Sequence, residues 1–299
     1  LTVSASIRTP EPALQTAASA LYPETSAEHF SARNFERLSA LIQQYSGIKM
    51  PSGKRTMITV RLRARLTQLR LPHLDAYCDF LFLEGGLEQE IVHLIDAVST
   101  NKTDFFREPA HFDFLRETAL PHYAAEGRRQ LKFWSSAASI GAEAYTLAMV
   151  LDDFRTRHRG PDYSILGTDI STEALAVAVS GQFPRAMMEP VPDEFLARYI
   201  LQPRDPEMDF VRVAPGLRAK MAWGRLNLMD ERYPVERDMD VIFCRNVLIY
   251  FDRPTQHKVL ERLCGHLTVG GFLILGHSES SIGANLPVTA VYNTIFRKV

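Results

Sequence analysis

The stretch Phe243-Cys244-Arg245-Asn246-Val247-Leu248-Ile249-Tyr250-Phe251-Asp252 begins as a buried apolar strand and ends by presenting polar groups where a strand leaves a sheet. A core strand needs no arginine, asparagine or tyrosine, and in an open α/β sheet ligands sit at the carboxyl ends of the strands. Arg245, Asn246 and Tyr250 therefore read as a site. Trp134-Ser135-Ser136-Ala137-Ala138-Ser139-Ile140-Gly141 closes an earlier strand and precedes a helix. Its small residues let a backbone approach a ligand, and the helix start offers free N–H groups; a tight turn without a ligand explains it equally well. Glu143, in the first helical turn, either meets a ligand or simply favours the helix dipole.

Gly167-Thr168-Asp169-Ile170 ends a second strand. An acid at that tip commonly binds a ribose diol, although Asp169 also suits a helix N-cap. With the Gly-bearing turn after the first strand, the reading is a nucleoside pocket. Because no pyrophosphate fingerprint is present, S-adenosylmethionine fits better than NAD. Asn227-Leu228 could clasp an adenine ring by edge and face, or Asn227 could serve a turn. In Asn101-Lys102-Thr103-Asp104-Phe105-Phe106-Arg107-Glu108 the paired phenylalanines read as core anchors. Arg107 carries a planar guanidinium able to hold a carboxylate in a fixed orientation.

Two regions of different grammar must position these groups. From Phe30 to about Thr100 the pattern is helical. Phe35, Leu38, Leu41 and Ile42 recur at helical spacing before a stop at Gly47, a second helix runs from Lys54 through Arg70, and two more follow. Between Arg37 and Arg70 eight cations stand without an acid. Lys54, Arg61 and Arg65, spaced by seven and then four, fall near one helix face. That face is either a solvated basic surface or a docking surface for an acidic partner. No aromatic interleaving supports nucleic acid.

After about Leu131 strands and helices alternate, which predicts an α/β, doubly wound, parallel sheet. The domains expected are a disordered tail at 1–28, a helical N-terminal domain at 29–100, a linker and cofactor-contacting segment at 101–130, and a sheet domain at 131–299. Proline-rich residues 184–222 read as a small inserted β-subdomain. The chain is 46% hydrophobic and 23% charged with net charge −1, ordinary for a soluble globular protein. Three scattered cysteines without a CxxC suit reduced thiols in a cytosol. No run of about 18 apolar residues predicts a membrane span. No hydrolase triad, P-loop or metal site is visible, and the histidines lack paired ligand spacing.

Taken together these motifs resemble the chemotaxis receptor methyltransferases, the CheR family of S-adenosylmethionine-dependent protein-glutamate O-methyltransferases. The likeness runs from about Phe30 to Val299. It rests on Asn101–Arg107, Cys244–Asp252 and Gly276-His277-Ser278-Glu279, in the family's order. It implies a helical N-terminal domain, a Rossmann-like methyltransferase domain and the inserted β-subdomain. It further implies cofactor contacts at Asn101, Thr103, Arg107, Glu143, Asp169, Asn227, Leu228, Arg245 and Asn246, with Arg107 and Tyr250 beside the transferred methyl and the substrate carboxylate. The product would be S-adenosylhomocysteine and the partner a chemoreceptor's cytoplasmic helical domain, met by the basic second helix. The turn Ile140-Gly141-Ala142-Glu143-Ala144-Tyr145 departs from the family's Thr-Gly-Glu-Glu-Pro-Tyr yet retains Glu143. Residues Gln202–Asp209 lack the glycines of members that dock a receptor's C-terminal pentapeptide, which argues against such a tether. A methyltransferase acting on a small molecule or RNA is the alternative, and it gives the basic helices no role. A cytoplasmic location is expected.

Overall fold

The computed structural model describes residues 30–205, 207–279 and 286–299; the tail expected at 1–28 lies outside them. Contacts divide the chain into two units: the residues up to Leu38 with Pro51–Glu90, and Ser39–Met50 with Ile91–Val299. Among the described residues no helix is long and apolar enough to cross a membrane.

The first unit is helical, as its 3.6-residue apolar period requires. It takes in the first half of α1 (Ala32–Ser46), α2 (Arg55–Leu69), α3 (Leu74–Phe82) and the opening turn of α4 (Leu87–Val98). Phe35, Leu38, Ile58, Leu62, Leu66, Leu74, Tyr77 and Leu81 are buried, consistent with one apolar stripe per helix. Asp75 ties the chain before α1 to α3 by accepting from the Ser31 backbone N–H at 3.0 Å and from Asn34 Nδ2 at 2.7 Å. Arg65 forks onto Glu90 at 2.5 and 2.8 Å. The acid missing from the basic stretch thus arrives from α4, and Arg65 is neutralised inside the unit.

The second unit carries the sheet. Its strands are β1 (Gln130–Ser135), β2 (Asp162–Asp169), β3 (Gln182–Pro184), β4 (Ile200–Leu201), β5 (Phe210–Val213), β6 (Met221–Arg225), β7 (Met239–Cys244), β8 (Leu267–Leu275), β9 (Val288–Tyr292) and β10 (Ile295–Lys298). The main sheet has order β6-β2-β1-β7-β8-β10-β9. The pairs from β6 to β8 are parallel, and β10 is antiparallel to both neighbours. β7 is buried at every position, as expected of a central parallel strand covered on both faces. The chain steps outward from β1 through β2 to β6, then returns to β7 on the other side of β1. That reversal opens a crevice at the strand ends.

Helix α7 (Ala142–His158) crosses from β1 to β2, α8 (Thr172–Ser180) follows β2, and α11 (Arg253–His266) follows β7. Two features stand at the expected domain junction. Residues 101–130 are more than a linker: α5 (Ala110–Phe114), a π-turn at Leu115–Ala119 and α6 (Leu120–Ala125) form a helical run. Phe112, Leu115, Leu120 and Tyr123 bury that run in the sheet domain's core. The second contact unit begins at Ile91 within α4, where Asp96 accepts from Thr172 N at 2.7 Å and so holds the start of α8. The β-subdomain is the separate sheet β3-β5-β4 with the short helices α9 (Asp193–Tyr199) and α10 (Pro215–Arg218). It opens at Gln182, and by Met221 the chain is back in the main sheet as β6.

Candidate functional site

Three neighbouring strands end together. Ser135, the last residue of β1, pairs with Gly167 of β2 on one side and Phe243 of β7 on the other. The polar residues that follow each strand therefore share one rim. Over that rim lies a cavity of about 910 Å³ in the second unit. Asn101, Thr103, Arg107, Glu143, Asp169, Asn227, Leu228, Arg245, Asn246 and Tyr250 all line it. Lys54, Arg61 and Arg65 belong to the first unit.

Gly141 starts α7 at φ +93°, a backbone that L side chains rarely adopt, and a Cβ there would stand 2.9 Å from Trp223. The turn is thereby held close, and the next helical turn brings Glu143 beneath the cavity. Glu143 accepts from Ser135 Oγ at 2.6 Å and from Arg245 at 3.0 Å. Asp169 is buried. Its two oxygens accept from the backbone N–H groups of Ser139 and Ser171 at 2.8 and 2.9 Å. Burial raises its pKa, against the opposing backbone N–H groups of Ser171, Ser139 and Ile170. The N-cap of α8 is Ser171, not Asp169, so the capping alternative falls away. Three backbone N–H groups still leave the Asp169 carboxylate with acceptor capacity, since its two oxygens offer about four lone-pair positions.

Arg245 is 1% exposed as a side chain and anchors the floor. It pairs with Glu108 at 3.1 Å and Glu143 at 3.0 Å, and donates to the Arg107 carbonyl at 2.5 Å. Its guanidinium lies 5.7 and 5.9 Å from the ring centroids of Phe112 and Phe243. One cation between two carboxylates leaves the floor net negative, suited to a positively charged ligand. Glu108 joins the set by accepting from Asn246 Nδ2 at 3.2 Å. Although burial opposes it, the charge of Arg245 and the bonds from Asn246 and Arg245 leave the Glu108 pKa lowered.

The loop from Asn246 to Tyr250 is fixed by a residue that local spacing gives no reason to suspect. Glu279 is buried and accepts from the backbone N–H groups of Asn246, Leu248 and Gly276 at 2.7–2.9 Å. Burial raises its pKa even against these bonds. Asn246 adopts φ +59°, a conformation asparagine tolerates better than most residues. A short 3₁₀ turn, Leu248–Tyr250, then aims Tyr250 into the cavity. Arg107 reaches the same space, with Lys102 O at 3.4 Å.

Asn227 lines the cavity and also serves a turn. Its amide nitrogen donates to Tyr45 O at 2.7 Å, and its side-chain oxygen accepts from Met229 N at 3.0 Å. This is the turn chemistry set against adenine recognition in the sequence reading. One amide hydrogen and one lone pair of the side-chain oxygen are left for a ligand, while Leu228 offers an apolar face beside them. Glu108, Glu279 and Ser139 were missed as site residues. Glu108 and Glu279 do stand inside the motifs already singled out, each as an acid next to polar neighbours. Glu108 also lies beside His111 and His277, a grouping of distant residues that spacing rules do not detect.

Residues 101–294 match the family model described as CheR methyltransferase, SAM binding domain, and residues 33–99 match CheR methyltransferase, all-alpha domain. Chemotaxis protein methyltransferase 2 of Pseudomonas aeruginosa is 33% identical over 268 residues, covering 90% of this chain and 94% of that protein. The chemotaxis protein methyltransferase of Borreliella burgdorferi is 34% identical, with 83% and 88% covered. That of Escherichia coli is 36% identical, with 84% and 85% covered.

Proposed function

The chain belongs to the CheR methyltransferase family, and from that premise we propose that it methylates glutamate side chains on the cytoplasmic helical domain of a chemoreceptor. It is an S-adenosylmethionine-dependent methyltransferase. The observation that supports the finer reading is the single cavity in which Arg107, Glu143, Asp169, Asn246 and Tyr250 meet at the ends of β1, β2 and β7.

S-adenosylmethionine supplies a methyl group on a sulfonium sulfur. The residues fit such a cofactor: Asp169 keeps acceptor capacity for a ribose diol, Glu143 for an ammonium group, and Leu228 packs an apolar face where an adenine would lie. Asn101, Thr103 and Asn246 complete the polar wall. A glutamate carboxylate is already ionised near neutral pH, so no general base is needed. Its oxygen bonds to the methyl carbon as the carbon–sulfur bond breaks, the electron pair leaving with sulfur to give S-adenosylhomocysteine. The protein's task is alignment, at near-attack distance and away from water. Arg107 orients the incoming carboxylate, and the Tyr250 hydroxyl positions it. Lys54 and Arg61 offer cations to an acidic receptor helix, with the reaction on the cytoplasmic side and no pentapeptide tether.

Incubating the full chain with methyl-labelled cofactor and chemoreceptor cytoplasmic fragments tests this. Base-labile label mapped to glutamates is expected. Label in RNA or a small metabolite, with none in receptor fragments, would overturn the reading.

A further inference from the structure

Glu108, His111 and His277 bring their ligating atoms within 4.8 Å of one another, beside the cofactor cavity. His111 is 2% exposed. Its Nε2 is engaged with Thr294 Oγ1 at 2.7 Å, while its Nδ1 is buried with no hydrogen-bond partner. That orphan nitrogen stands 3.6 Å from Glu108 Oε2. From the other side, His277 Nε2 stands 3.9 Å from the same oxygen. Nδ1 and the carboxylate thus face each other across a gap too long for a hydrogen bond, so a buried ring nitrogen is left without a partner.

We propose that these three residues form a binding site for a divalent cation of the zinc type. Ligands held at about 2.0–2.2 Å around a tetrahedral ion stand about 3.3–3.6 Å from one another. The His111–Glu108 separation of 3.6 Å matches that edge length, and the His277–Glu108 separation of 3.9 Å exceeds it by a few tenths of an ångström. Two imidazoles and one carboxylate are a donor set suited to zinc, with water as the fourth ligand. Thr294 holds the Nε2 side of His111, as a second-shell partner does for a metal-bound histidine, and so turns Nδ1 toward the ion. Glu108 accepts from the His277 backbone N–H at 3.2 Å and from Asn246 at 3.2 Å, which fixes its carboxylate before any ion arrives. Arg245, 3.1 Å from Glu108, opposes the added charge, but Glu143 offsets that cation. His277 is 58% exposed as a side chain and gives the ion a route in. The bound ion would clip the Arg107–His111 segment to the turn after β8, so it acts on the rim that carries Asn246 without entering the methyl-transfer step.

Calorimetry with Zn²⁺ on the metal-free full chain provides the test, followed by Co²⁺ for its absorption bands. One ion per chain is expected, with cobalt bands of a low-coordinate nitrogen–oxygen site and a raised melting temperature. His277→Ala, an exposed change checked for folding by circular dichroism, is expected to weaken binding by more than about tenfold. No binding by the parent chain overturns the proposal, and so does unchanged binding by a folded His277→Ala. Neither readout depends on methyl transfer, so a failed methylation assay leaves this site standing, and the reverse also holds.

Discussion

The two sides of the cavity are built differently. Toward α7 and β7, Glu143 and Arg245 are held by protein partners, and Asp169 and Asn227 are likewise bonded before a ligand enters. The Arg107 side chain, by contrast, has one long hydrogen bond, to the Lys102 carbonyl at 3.4 Å. Tyr250 has no hydroxyl partner among the described residues. A bonded floor keeps its geometry with or without ligand, whereas a sparsely bonded wall can take its geometry from what it meets. The lesson is that folding alone fixes the bonded set, whereas the sparsely bonded pair is left able to answer a ligand.

Substitutions should separate the two. Arg245→Met would leave Glu108 and Glu143 without their shared counterion, and the expected loss is about 3–5 kcal/mol of stability, read from denaturant midpoints. Arg107→Ala is expected to lower turnover by about 10²–10³-fold with the midpoint nearly unchanged and cofactor binding still measurable by calorimetry. Equal destabilisation by both changes would erase the contrast. Tyr250→Phe should cost about tenfold in kcat, the worth of one hydrogen bond to a charged group, with full stability retained.

The smallest effect sharpens the comparison through pH. Because the Asp169 pKa is raised in the folded state, protonation sets in above the ordinary aspartate range. Cofactor affinity should therefore weaken as pH falls through that raised value, and the dependence should vanish in Asp169→Asn. Unfolding stability runs the other way. The folded state binds this proton more tightly, so the group's contribution is fully present below the unfolded value and is lost as pH rises through the folded one. A cofactor isotherm flat across the acid range would show that the ribose does not rely on this carboxylate.

Much of the framework was legible. Alternating apolar strands and helices around Trp134, Leu166 and Ile242 announced the parallel sheet, and the second strand was expected to end in Gly167–Ile170, where β2 stops at Asp169. Elements whose signal was diluted were harder. β6 carries Trp223 and Gly224 in five residues of mixed burial, too weak an alternation to declare a strand. The helix at 110–125 was hidden by Pro109, Pro121 and a π-turn. Ten cavity residues were foreseen because each sits at a strand end or beside a motif. The roles of Glu108 and Glu279 were not, since each acts on backbone or side chains that lie more than a hundred, or some thirty, residues away. Asn227 lines the cavity as expected and also serves the turn, through its bond from Met229 N–H.

Four non-glycine residues around the cavity or its floor, Phe106, Glu108, Ser139 and Asn246, adopt φ values between 52° and 59°. Each opposes its own conformational preference by about 1–2 kcal/mol. Glycine at Ser139 would relax the main chain there while deleting a side chain that lines the crevice, whereas at Phe106 it would also remove a ring packed on Phe112 and Phe195. A selection for heat resistance that ignores turnover should therefore enrich such replacements and return hardier, slower enzymes. Laboratory evolution of this scaffold has to screen for both traits at once.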